Sequence, residues 1–139
     1  IRYPTVWNEV EINTDCYLAK QTELTNFRLS VSHTLSAFNV YYLDEFFKWC
    51  YNKQLPRPWV GRAHNPECMR PTVWPKPARD VVVNKLKESS NTDVLAWASV
   101  IENSDDSEYF EEFKNRVLKH DQYRTTNFKT TFLELAEYI

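Results

Sequence analysis

Apolar and polar positions alternate over residues 27–34, with Phe27, Leu29 and Val31 on one side and Arg28, Ser30, Ser32 and Thr34 on the other. A period of two predicts a strand with one apolar face. The stretch continues through Leu35-Ser36-Ala37-Phe38 to Asn39, a residue suited to cap a helix. Beyond it Leu43, Phe46, Phe47, Cys50 and Tyr51 recur at i, i+3, i+4, i+7 and i+8, a helical apolar stripe. Strand, short polar turn and amphipathic helix make half of a βαβ unit. Folds of that kind place ligand sites at the carboxyl ends of their strands, so the turn is the first candidate for a small-molecule site.

Gln54-Leu55-Pro56-Arg57-Pro58 is a stiff turn, and Trp59-Val60-Gly61-Arg62-Ala63-His64-Asn65 reads as a second strand. The helix between the strands predicts a parallel, right-handed crossover. Gly61 within the strand signals a close approach of backbone or ligand. Polar His64 and Asn65 gather at its carboxyl end. Upstream, residues 1–4 read as extended, and Trp7, Val10, Thr14, Tyr17 and Leu18 form an irregular helical stripe ending near Lys20. Residues 66–77, with four prolines, are irregular. Four helical stripes follow: Ala78, Val82 and Leu86; Val94, Trp97, Ala98 and Ile101; Phe110, Phe113 and Val117; Phe128, Phe132, Leu135 and Ile139. Ser107, with Asp105 and Asp106 nearby, supplies caps for the third.

Two strands do not make an independently stable parallel sheet with both faces covered. The expected fold class is therefore α/β: the closing portion of a larger α/β sheet or barrel, followed by a C-terminal group of helices. Residues 1–72 would be the closing part of the barrel and residues 73–139 the helical region, together one structural unit and a fragment of a longer protein. An open strand edge in such a fragment predicts a partner there, either the missing N-terminal barrel half or a second copy.

The chain has 139 residues with ordinary apolar and charged fractions, one domain's worth, which argues against disorder. A net charge of −2 makes a dedicated nucleic-acid binder unlikely. Charge is nonetheless uneven: residues 53–87 are mostly basic and residues 105–112 mostly acidic, and both read first as solvated faces. Its single glycine excludes glycine-cradled phosphate sites of the Rossmann or P-loop kind, which need several. Cys16, Cys50 and Cys68 form no C-x-x-C and no secreted disulfide framework, so a reducing, cytoplasmic location is expected, with Cys50 a buried thiol. No apolar run is long enough to span a membrane, and no signal peptide is visible. The first residue is Ile, which predicts a removed leader or a piece of a longer chain.

Thr34-Leu35-Ser36-Ala37-Phe38-Asn39-Val40-Tyr41-Tyr42-Leu43 resembles the late-strand segment of radical S-adenosylmethionine enzymes of the SPASM and twitch groups. Ile1-Arg2-Tyr3-Pro4-Thr5-Val6-Trp7 resembles a stretch after an earlier strand of those enzymes, and residues 59–66 the following strand. Asp121-Gln122-Tyr123-Arg124-Thr125-Thr126-Asn127-Phe128 and Phe132-Leu133-Glu134-Leu135 are similar to C-terminal helices of twitch-type members from phage and marine bacteria. The resemblance implies that the strands are the last βαβ portion of a partial (β/α) barrel that binds a [4Fe–4S] cluster and S-adenosylmethionine. It also implies that Ser32, Thr34, Ser36 and Asn39 approach the cofactor. The family's C-x-x-x-C-x-x-C motif is absent. Both cofactors would then belong to a full-length parent; none is expected in this chain alone, which would be inert.

Each candidate also has a plainer reading. Ser32, Thr34 and Ser36 suit an ordinary polar strand face, and Asn39 a helix cap. Arg62, His64 and Asn65 could reach a substrate from the second strand, or Arg62 could pair with a carboxylate and His64 be structural. His33 lies on the apolar face and His120 beside Asp121, both read as structural or surface. No catalytic or metal-binding set is proposed, and no nucleophilic triad is convincing. The competing function is a self-contained helical module for protein or nucleic-acid interaction, drawing on the chain's many aromatic residues. A stand-alone acid–base enzyme built on His64 lacks a second matched group.

Overall fold

The computed structural model describes residues 5–139; the extended start expected for residues 1–4 lies outside the described residues. Helix α1 (Trp7–Glu23) leads to strand β1 (Ser32–Leu35), a 3-10 turn (Val40–Tyr42), α2 (Leu43–Asn52) and strand β2 (Trp59–Arg62). A second 3-10 turn (Glu67–Met69) precedes α3 (Lys76–Lys87) and α4 (Thr92–Glu102). A third (Ser107–Tyr109) opens α5 (Phe110–Arg124), and short α6 (Phe128–Thr131) runs into a closing 3-10 stretch (Leu133–Tyr138).

Spacing and caps account for these helices. In α2 the stripe buries Leu43, Phe47 and Cys50 while Glu45 and Lys48 face water, but its last member, Tyr51, is 83% exposed. Helix α3 carries Pro77 in its first turn, where a missing N–H costs nothing, and buries Ala78, Val82 and Leu86. Asn91 caps α4: its Oδ1 accepts the N–H groups of Asp93 at 2.8 Å and Val94 at 3.4 Å. At the end of α5, Thr125 takes a left-handed φ of 54°, and the Asp121 carboxylate accepts the Phe128 N–H at 2.8 Å, turning the chain into α6. The fourth stripe therefore breaks into α6 and the 3-10 stretch, which bury Phe128 and Leu135.

Trp74 and Phe113 are the largest side chains with no exposed surface, and they meet edge-on with centroids 5.1 Å apart. Phe38, from the turn after β1, sits against Phe113 at 5.2 Å, and the Trp74 Nε1–H donates to the Ala37 carbonyl at 3.1 Å. The proline-rich stretch that reads as irregular is thus irregular but central, because it carries Val73 and Trp74 into the core.

The expected architecture is corrected by this arrangement. The chain is not the closing βαβ portion of a partial barrel; it is a mostly helical fold with one small sheet. The sheet consists of β1 and β2 paired in parallel, Ser32 opposite Trp59 and Leu35 opposite Arg62, each strand four residues long. One buried cluster runs from Leu35 and Ala37 through Trp74 and Val82 to Phe113 and Leu135, so the helices close over the ribbon themselves. Packing against helices is enough to hold a two-stranded ribbon, and no larger sheet is required. The first strand is also shorter than its alternation suggests. Residues before it lie against α1: the Leu29 N–H donates to the Gln21 side chain at 2.6 Å, and Phe27 stacks on Tyr17 at 6.4 Å.

Candidate functional site

The register puts Ser32, Thr34, Trp59 and Gly61 on one face of the ribbon and His33, Leu35, Val60 and Arg62 on the other. Leu35 is fully buried and Val60 packs on the core, so the second face is the inner one. Ser32 and Thr34, which a barrel would point inward, are exposed. Asn39 closes the turn after β1: its Oδ1 accepts the Ser36 N–H at 2.8 Å, and its Nδ2 donates to the Thr34 carbonyl at 3.0 Å. Its side chain makes no capping bond to the helix that follows. Beneath the turn, Ala37 is buried and Phe38 is wedged among Phe113, Phe128 and Phe132. Aromatic rings thus fill the space beneath the turn.

Arg62 is exposed at the end of β2, and His64 and Asn65 are exposed just beyond it. The His64 carbonyl accepts from Arg70 Nε at 3.2 Å, and the Asn65–Pro66 bond is cis. His33 is structural: its ring stacks on Phe46 at 4.2 Å, and burial lowers its pKa to about 4. Burial likewise raises the Cys50 thiol to about 11, which removes it as a nucleophile at neutral pH. Among the described residues no cluster of three or more His, Cys, Asp or Glu could hold a metal ion. None of the helices among them is long and apolar enough to cross a membrane.

The basic run is largely neutralised. Lys53 holds Asp15, Arg57 holds Asp93, Arg70 holds Asp106, and Lys76 holds Asp80. Arg79 pairs with Asp105 at 2.6 Å and pulls its carboxyl far below the usual range; Lys85 and Lys87 pair with Glu45 and Glu102. Burial raises the Asp106 carboxyl, but bonds from Thr72 and Arg70 bring it below its ordinary value. Arg62 makes no ion pair or hydrogen bond among the described residues, though its charge reaches Asp106.

A groove lies elsewhere, between β2 and α4. One lobe, about 440 Å³, has Phe47, Trp59 and Val60 on one side and Ala96, Trp97 and Val100 on the other. A second lobe, about 530 Å³, runs past Cys50, Tyr51 and Leu55 to the capped start of α4 at Asn91. Arg57 and Asp93 line both lobes and join across the groove through two hydrogen bonds, one of them Nε to Oδ2 at 2.7 Å. Trp59 and Tyr51 are 68% and 83% exposed. The Trp59 indole lies over Gly61, where a Cβ would stand 2.7 Å from its Cζ3; the close approach at this glycine is that of a side chain, not of backbone or ligand. None of the seven rim candidates lines this groove. A sequence signal for it does exist: Leu95, Ala96 and Val100 make α4 apolar beyond its buried stripe of Val94, Ala98 and Ile101. A helix apolar on two sides has a second surface to cover.

No family model, curated protein or solved structure matches the chain. The resemblance to SPASM and twitch enzymes draws no support from these comparisons.

Proposed function

We propose that the chain is a self-contained interaction module that holds an apolar segment of a protein partner in the groove between β2 and α4. The observation that carries this reading is the set of apolar and aromatic side chains left in water around one cleft, Tyr51, Trp59 and Val100, with half-buried Trp97 between them and the core. Trp and Tyr at the edge of a cleft offer large contact area at low entropic cost, and they are over-represented among residues that dominate binding energy. Exposed apolar surface gathered at one place marks an interaction site more often than surface scattered singly. A nucleic-acid partner is disfavoured, because the basic residues that would meet phosphates already hold carboxylates.

Selection of a library of linear peptides displayed on phage against the folded chain tests the proposal. Peptides should emerge whose binding is lost on Val100→Arg, which places a charge on the α4 wall at a position that water already reaches. An empty selection, or peptides indifferent to Val100→Arg, would overturn it.

A further inference from the structure

Among the described residues the outer edge of β2 is unpaired. The Trp59 N–H donates to the Val31 carbonyl at 2.8 Å and the Ala63 N–H to the Leu35 carbonyl at 2.7 Å, so odd-numbered residues of this strand turn their backbone groups toward β1. Alternation then turns the N–H and C=O of Val60 and Arg62 the other way. Among the described residues the sheet has no third strand, and no turn, loop or side chain bonds to these groups. Val60 also lines the groove, whose helix side is formed by Ala96, Trp97 and Val100. Unpaired edge groups beside an apolar trough are the two halves of a strand-addition site: main-chain bonds supply affinity, and alternate side chains fill the trough.

We infer that the partner segment binds as an extended strand added to the outer edge of β2, an inference that rests on the groove being the binding site. Its backbone would bond to Val60 and Arg62. Every second side chain would be apolar and lie against Phe47 and Trp97, and an acidic side chain near the end of β2 would meet Arg62. Among the described residues that guanidinium is the member of the basic run without a carboxylate of its own, so charge complementarity selects an acidic rather than a basic segment. A second copy of the chain fits less well. Helix α4 forms the far wall of the groove that Val60 lines, and a paired copy would bring its own α4 against it, whereas a single extended segment brings no such wall. The edge is short, and Pro58 lacks an N–H just before it, so the strand added is short too.

The peptides selected above, remade with N-methyl amides at odd or at even positions, provide the test. One parity faces β2 and should lose binding about tenfold or more, while the other faces away and should change it less than about twofold. Amide exchange at Val60 and Arg62 should slow when the unmodified peptide is bound, and Arg62→Glu should weaken it. Equal effects of both parities, with binding still abolished by Val100→Arg, would leave the groove as the site and overturn strand addition. Concentration-dependent self-association abolished by Val100→Arg would place a second copy on the edge and also overturn it. An empty selection overturns this inference together with the reading beneath it.

Discussion

Trp74 joins parts of the chain that are far apart in sequence. It meets Phe113 of α5 edge-on and bonds to the Ala37 carbonyl beside β1. Trp74→Ala should cost about 3–5 kcal/mol in urea unfolding. Trp74→Phe keeps much of the ring volume but leaves that buried carbonyl without its donor, at about 1–3 kcal/mol. His33 makes a different prediction. Its folded pKa of about 4 lies below its ordinary 6.5, so as pH falls the unfolded chain takes up the proton first. Stability should therefore decline from about pH 6.5 to about pH 4 and then lose this dependence, by about 1–2 kcal/mol once water's access to part of the ring is discounted. His33→Phe should flatten that slope; an unchanged slope would mean that another group titrates. The structural role of His33 was legible in its place on the apolar face. Trp74 was not, because a proline-rich stretch has no periodicity from which burial can be read.

The helices differ in how firmly they are held. Helix α1 buries none of its residues and leans on α2 through the Trp7–Trp49 contact, the Lys53–Asp15 pair and a bond from Trp49 to Glu11. Helices α3 and α4 pack against each other and bury eight residues between them, five from α3 and three from α4. Native-state hydrogen exchange should therefore show α1 amides exchanging well before those of α3 and α4; equal protection would contradict this ordering. Periodicity located these helices and the crossover between the strands, since a 3.6-residue stripe reports burial by one main neighbour. It could not tell a buried stripe from one partly left in water. Tyr51 closes the α2 stripe yet lines the groove, and Asn39, read as a cap for that helix, ties back to Ser36 and Thr34.

At the scale of the whole molecule, the two strands in sequence suggested part of a larger sheet, and the polar residues at their carboxyl ends suggested the rim of its pocket. The larger sheet is not needed because covering helices were available within the chain: α2 on the ribbon's inner face, and α5 with α6 around Phe38. What stays uncovered is the side of β2 facing α4. Among Ser32, Thr34, Ser36, Asn39, Arg62, His64 and Asn65, Arg62 alone enters the proposed interaction, at the end of that edge. The second apolar side of α4 marked one wall of the groove, but the groove itself was not legible because it is assembled from α2, β2 and α4, whose relative placement no local pattern encodes. Backbone amide shifts of the chain titrated with a selected peptide decide between rim and groove. The account predicts the largest changes at Val60, Arg62, Ala96 and Val100; changes centred on residues 32–39, with β2 and α4 silent, would contradict it.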